Sequence, residues 1–130
     1  VTFHDSPGGI MPTHVITCAP ETPLLEAAEI MRLENISCIL VTHAEIPAGI
    51  LTERDLVRFM EQVGMEAEGY QVRDVMSAAV VSIPEGEDLY AAFSLMCGKN
   101  IRHLVIVDEM GRAVGIKTFS DLMLRLGEEY

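Results

Sequence analysis

Gly49-Ile50-Leu51-Thr52-Glu53-Arg54-Asp55, followed by Leu56, recurs as Gly115-Ile116-Lys117-Thr118-Phe119-Ser120-Asp121, followed by Leu122. Both copies read glycine, aliphatic, any residue, threonine, two of any kind, aspartate, leucine. A threonine three residues before an aspartate is a common pattern. Two copies in equivalent places of a 130-residue chain invite a search for a longer repeat.

The repeat extends well beyond the motif. Setting residue n against n+65 pairs Met11 with Met76, Val15 with Val80, Thr17 with Ser82 and Leu24 with Leu89. The same shift pairs Ala27 with Ala92, Met31 with Met96, Ile36 with Ile101 and Leu40 with Val105. One extra residue between Asp108 and Ala113 moves the shift to 66, which brings Gly49 onto Gly115 and Asp55 onto Asp121. A single gap therefore aligns the chain with itself. Each unit is only about 55 residues, marginal as an independent domain, so the two are expected to pack together and share a core.

Each unit reads strand, helix, strand, strand, helix. In the first, the run His14 to Thr17 has β-type composition, with Thr22 and Pro23 placed as N-cap and first helical residue. Leu24 to Asn35 carries apolar residues at 24, 25, 27, 28, 30, 31 and 33, a broad helical face. Ser37 to Thr42 is a continuous apolar strand suited to a sheet covered on both faces. A loop through Pro47 leads to the strand Ala48–Leu51, and Thr52 opens a helix over Glu53 to Val63. Leu56, Val57, Phe59, Met60 and Val63 form that helix's apolar side. The resulting division is an arm at 1–9, a first unit at 10–63, a connector at 64–71 and a second unit at 72–130.

Composition narrows the function. Apolar residues make up 49% of the chain, enough for a folded core. The formal net charge of −11 argues against duplex nucleic acid or an anionic membrane as partner, since both need clustered Lys and Arg. No apolar run approaches the roughly 20 residues of a spanning helix. Residues 1–9 lack the pattern of a signal peptide. Cys18, Cys38 and Cys97 are odd in number and lack metal-type spacing, which fits a reducing cytoplasm, and the four histidines are scattered. The start at Val1 and the stop just after a helical stretch suggest a piece of a larger protein.

The motif itself supports two chemistries. Thr at an N-cap with Asp three residues on resembles a capping box, which satisfies first-turn amides and suits the helix dipole. The same geometry also suits a ligand. A helix N-terminus offers amides to phosphate, Thr52 or Thr118 adds a hydroxyl, and Asp55 or Asp121 offers acceptors to a sugar diol. Both readings draw on the same side chains. Cys38 has no designated base, and a redox pairing with Cys18 would require adjacent strands. The eight Met residues mostly fall at apolar helical positions and read as core, with the lining of a ligand pocket a minor alternative for Met11 and Met76.

The tandem units, their Gly-aliphatic-x-Thr-x-x-Asp endings and the stretch Val72-Arg73-Asp74-Val75-Met76-Ser77 resemble a CBS-domain pair, or Bateman module. Ile101 to Asp108 is similar to that family's central strand, and the resemblance spans roughly Ile10 to Leu126. It implies an α+β architecture, an α/β-type tandem repeat of two β-α-β-β-α units packed as a pseudo-twofold pair. It also implies clefts between the units, each able to take AMP, ADP, ATP or an S-adenosylmethionine-like ligand. The implied role is regulatory, with no catalysis and no required cofactor. The ligand would act on an attached or associated output domain of a larger signalling protein, and the pair would form a homodimer through its helices. By the resemblance, Asp55 and Asp121 bind ribose and Thr52 and Thr118 bind phosphate. Thr17-Cys18 and Ser82-Ile83 supply the backbone edges beside adenine, and Arg102-His103 reach phosphate in the second unit. The first unit has Ser37-Cys38 at those positions, so unequal sites are expected. The alternative is a structural dimerisation or docking module in which Thr and Asp serve only as caps.

Overall fold

A computed structural model describes residues 15–64 and 66–129, with side chains in the last helix up to residue 124. The arm, His14, Met11 and Met65 lie outside the described residues. The chain forms two compact bodies, with the division between Val80 and Val81.

The first body runs β1 (Thr17–Cys18), α1 (Leu24–Glu34), β2 (Cys38–His43), β3 (Ile46–Thr52), α2 (Glu53–Val63) and a 3-10 turn at Val72–Asp74. Its sheet has the order β1-β2-β3, with β1 parallel and β3 antiparallel to β2. The second body runs β4 (Ser82–Pro84), α3 (Leu89–Lys99), β5 (His103–Val107), β6 (Ala113–Thr118) and α4 (Phe119–Glu129). Its sheet repeats the topology as β4-β5-β6. The strand-helix-strand-strand-helix reading and the α+β class are what the structure has.

Each body has its own apolar cluster. Leu24, Ala27 and Met31 of α1 pack on Ile39, Val41 and Leu51. Leu89, Ala92 and Met96 of α3 pack with Ile83, Leu104, Ile106 and Leu122. Leu40 and Ile50 in the first sheet and Val105 in the second are also buried, on the sheet face turned away from these clusters. That is why the central strands read as unbroken apolar runs rather than alternating ones. Each leading helix stops at an asparagine in the left-handed region, Asn35 (φ 54°) and Asn100 (φ 53°). The following amides, Ile36 and Ile101, donate back to Met31 and Met96.

Several local expectations need correction. Thr22 does not cap α1: Pro23 holds the N-cap position, and the Thr22 hydroxyl instead accepts from the Ala19 amide at 3.0 Å. The buried face of α1 is narrower than its apolar composition, since Leu25 and Leu33 are exposed. Likewise Val57 and Met60 of α2 face outward while Leu56 and Phe59 pack inward. Pro47 lies within β3, at an edge strand beside a bulge, where a missing N–H costs no ladder bond. The turn is instead at Ala44 and Glu45, both at positive φ, as a two-residue hairpin connection requires.

The segment after α2 is held in place. Ala67 is buried, and Tyr70 meets Phe59 edge-on with ring centroids 4.7 Å apart. Residues 72–80, which the repeat aligns with the start of the second unit, pack in the first body. Val72 lies in its cluster, and Ser77 exchanges two backbone hydrogen bonds with Ile50, each 2.9 Å. This pairing explains Gly49. A Cβ there would stand 2.6 Å from Met76 Sδ and 2.8 Å from the Ser77 carbonyl oxygen. The motif glycine of the first unit therefore admits the close approach of Met76 and the bridging residue Ser77.

Candidate functional site

Both copies of the motif fall where a strand runs directly into a helix: β3 into α2 and β6 into α4. At the first corner Asp55 Oδ2 accepts from the Thr52 amide at 3.0 Å, and Thr52 Oγ1 accepts from the Asp55 amide at 3.1 Å. At the second, Thr118 and Asp121 repeat the exchange with the same two distances. These are reciprocal capping boxes. The first helical amide is also engaged, Glu53 donating to the Ser37 carbonyl and Phe119 to the Arg102 carbonyl, each at 2.9 Å.

This accounting changes what the corners can offer. Of the four leading amides at each corner, only the second helical one, Arg54 or Ser120, lacks a partner among the described residues. An open cradle of amides, one of the two sequence readings, is therefore reduced to a single N–H per corner. Each aspartate still keeps one oxygen, Oδ1, with no hydrogen bond among the described residues. Asp55 is half-buried and Asp121 exposed, so that oxygen can accept from a ligand hydroxyl without losing the cap.

The strand register decides which other candidates share a surface with the threonines. Thr17 pairs with Leu40, Leu40 with Ile50, and Cys38 with Thr52. Strand side chains alternate faces, so Thr17, Cys38 and Thr52 lie together on the sheet face turned away from the helices. In the second body Ser82 pairs with Val105, Val105 with Ile116, and His103 with Thr118. Ser82, His103 and Thr118 therefore form the matching set. Arg102, next to His103, is exposed at the α4 end.

Cys18 and Ile83 fall on the opposite face. Cys18 packs against the first apolar cluster, and Ile83 is a member of the second. Their side chains belong to the core, and only their backbone, on the outer strands β1 and β4, remains for a ligand. Burial, and secondarily the charge of Glu26, pushes the Cys18 thiol up to about 11, so it is protonated at neutral pH. Cys18 pairs with Val41, three residues beyond Cys38. An odd offset puts the two cysteines on opposite faces, roughly 10 Å apart along the strands, too far for a disulfide. All three cysteines are free thiols.

Cys38 was missed as a partner of the threonine, although the repeat already aligns it with His103 and period-two alternation already separates Cys18 from Thr17. In the first body a groove of about 510 Å³ opens beside the corner, between the end of α1 and the start of α2. Met31, Asn35, Ser37, Glu53 and Leu56 contribute to its wall. Among the described residues no group of His, Cys, Asp and Glu could hold a metal ion. Nor is any helix among them long and apolar enough to cross a membrane.

The CBS domain profile matches residues 8–62 and 72–128. An uncharacterised protein of Methanopyrus kandleri is 37% identical over 119 residues, which are 91% of this chain and 61% of that protein. An inosine-5'-monophosphate dehydrogenase of Thermoplasma acidophilum is 34% identical over 85% of this chain, which spans 21% of that enzyme. Among solved structures, a CBS domain pair superposes with a TM-score of 0.75 at 24% identity. The match covers 93% of this chain and 94% of that one, which was crystallised with 5'-methylthioadenosine and S-adenosyl-L-methionine.

Proposed function

We propose that this chain, which belongs to the CBS domain family, is a regulatory module that binds an adenosyl compound at its strand-to-helix corners. The observation that carries the reading is the doubled corner. In each body a hydroxyl-bearing cap, an aspartate with one uncommitted oxygen and a second hydroxyl on the first strand recur at matched positions. Thr52 and Thr118 approach phosphate, Asp55 and Asp121 accept from ribose, and the outer edges of β1 and β4 face adenine. Arg102 and His103 add donors in the second body. No bond is made or broken. The ligand favours the arrangement that contacts it best, and that population shift passes to an output domain or partner in the cytoplasm. Association of two copies through the outward apolar residues of α1 and α2 belongs to the same reading.

Calorimetric titration with AMP, ADP, ATP and S-adenosylmethionine tests it. Binding of at least one tighter than millimolar is expected, and failure of all four overturns the reading.

A second reading is favoured by the capping boxes themselves, which occupy both side chains of each motif. On that view the module serves for dimerisation or docking and takes no nucleotide. Asp121→Asn separates the two. Binding falls at least tenfold under the first, whereas under the second only stability changes, by at most about 1 kcal/mol.

A further inference from the structure

Two phenylalanine rings cover the second body between its helices. Phe93 of α3 and Phe119, the first residue of α4, stand with ring centroids 5.0 Å apart and pack against the apolar cluster of that body. Leu122, a member of that cluster, is 1% exposed. The repeat sets Ala28 and Glu53 in the places of the two rings in the first body. Ala28 is too short and Glu53 too polar to fill that space, and the groove of about 510 Å³ opens between these two residues, Met31 and Leu56. Leu56, the counterpart of Leu122, is accordingly only half-buried. The groove lies on the helix side of the sheet, because Met31 and Leu56 belong to or pack on the first cluster. Thr17, Cys38 and Thr52 face the other way, so the surface given above to an adenosyl ligand is a different one. Nor do the outward apolar residues of the two helices, Leu25, Leu33, Val57 and Met60, line it.

We propose that this groove is a binding site for a small aromatic amine, whose ring system takes the place of the two phenylalanine rings and whose ammonium meets Glu53. The polar rim is uncommitted: the side chains of Asn35, Ser37 and Glu53 make no hydrogen bond or ion pair among the described residues. Arg32 also lines the groove, but its guanidinium is held by both oxygens of Glu29. The unbalanced charge in the wall is therefore the Glu53 carboxylate, which selects a cation over an anion. The apolar wall of Ala28, Met31 and Leu56 supplies most of the affinity, since an ion pair at an exposed carboxylate adds little. Asn35 and Ser37 offer oxygens to the remaining ammonium N–H groups.

The test titrates the full chain with tryptamine, indole and indole-3-acetate and follows backbone amide shifts. Tryptamine is expected to move the amides of Ala28, Asn35, Ser37 and Leu56 with one common midpoint. Indole should bind roughly fivefold more weakly, and indole-3-acetate more weakly again. Ala28→Phe places a ring of the second body in the groove and should abolish the shifts. Glu53→Gln should bring tryptamine down to the level of indole and leave indole itself within about twofold. Shifts that survive Ala28→Phe in a folded chain would overturn the proposal. So would equal affinities for tryptamine and indole-3-acetate, or no shift at about 10 mM tryptamine. Glu53→Gln changes an exposed side chain and keeps the question open to decision if Ala28→Phe does not fold: unchanged tryptamine affinity in that variant overturns the proposal on its own.

Discussion

Leu24, Ala27 and Met31 of α1 occupy the places that Leu89, Ala92 and Met96 occupy in α3, and no other residue of either helix is fully buried. Both helices have eleven residues and close on a left-handed asparagine. Their outward surfaces have little in common. The first carries Glu26, Glu29, Arg32 and Glu34, while the second carries Tyr90, Ala91, Ser94 and Cys97. The starts differ too, because Asp88 caps α3 through the Tyr90 amide whereas α1 has no side-chain cap. The repeat is thus held at the positions that close a core, at the asparagines that end the leading helices and along the motif, and it is free on the outward helix faces. Function that differs between the bodies has to come from the free positions.

The sharpest break between the bodies is the strand residue before the cap. Leu51 is fully buried among Ile39, Val41 and Leu24, whereas its counterpart Lys117 is only half-buried. Exchanging each for the other should give unequal effects. Leu51→Lys removes a packed side chain and buries an ammonium, with an expected loss of at least about 3 kcal/mol. Lys117→Leu should stay within about 1 kcal/mol. Urea unfolding followed by circular dichroism measures both, and comparable losses would mean that the two corners are built alike after all.

The caps should show the opposite behaviour, an equal effect in both bodies. Thr52→Ala and Thr118→Ala each remove one acceptor from a reciprocal box of the same geometry, so each should cost about 1 kcal/mol. A loss at Thr52 with none at Thr118 would show that the second box contributes nothing to stability. That outcome would leave Thr118 conspicuous as a ligand group.

Much of this architecture can be read from the residues. Pairing Leu24 with Leu89 and Met31 with Met96 already names core positions, because residues fixed in two copies at helical spacing are the ones that meet a sheet. The capping boxes are equally visible, since they are local and their spacing is their geometry. The isolated bridge at Ser77 is not. Its pairing with Ile50 spans 27 residues and leaves no periodic trace, so Gly49 reads as a tight turn until Met76 and Ser77 are placed beside it. Thr17-Cys18 and Ser82-Ile83 show a subtler limit. The backbone of both residues in each pair can edge a ligand, but alternation sends Cys18 and Ile83 into the core. Which member faces out follows from register, and register was fixed only by pairing with the central strand.

The hairpin turns give the smallest contrast, and it depends on pH. The first hairpin turns on Ala44 and Glu45 alone. The second contains the extra residue of the repeat and is organised by Asp108, which accepts from the Met110 and Arg112 amides and from Arg112 Nε, each at 2.9 Å. Partial burial works to raise the Asp108 carboxyl. The hydrogen bonds from Arg112 and Met110 outweigh it and hold the group below the usual aspartate range. A carboxyl lowered in the folded state stabilises it above the ordinary aspartate pKa. That contribution fades as the pH falls through the folded value. Asp108→Asn should therefore lower the thermal midpoint at neutral pH and converge with the parent chain in acid, below the folded value. The midpoints of both chains, measured by circular dichroism from pH 7 down to pH ~2, check this. A gap that stays constant across that range would show that the amide replaces the carboxylate's neutral contacts and that the charge on Asp108 contributes nothing.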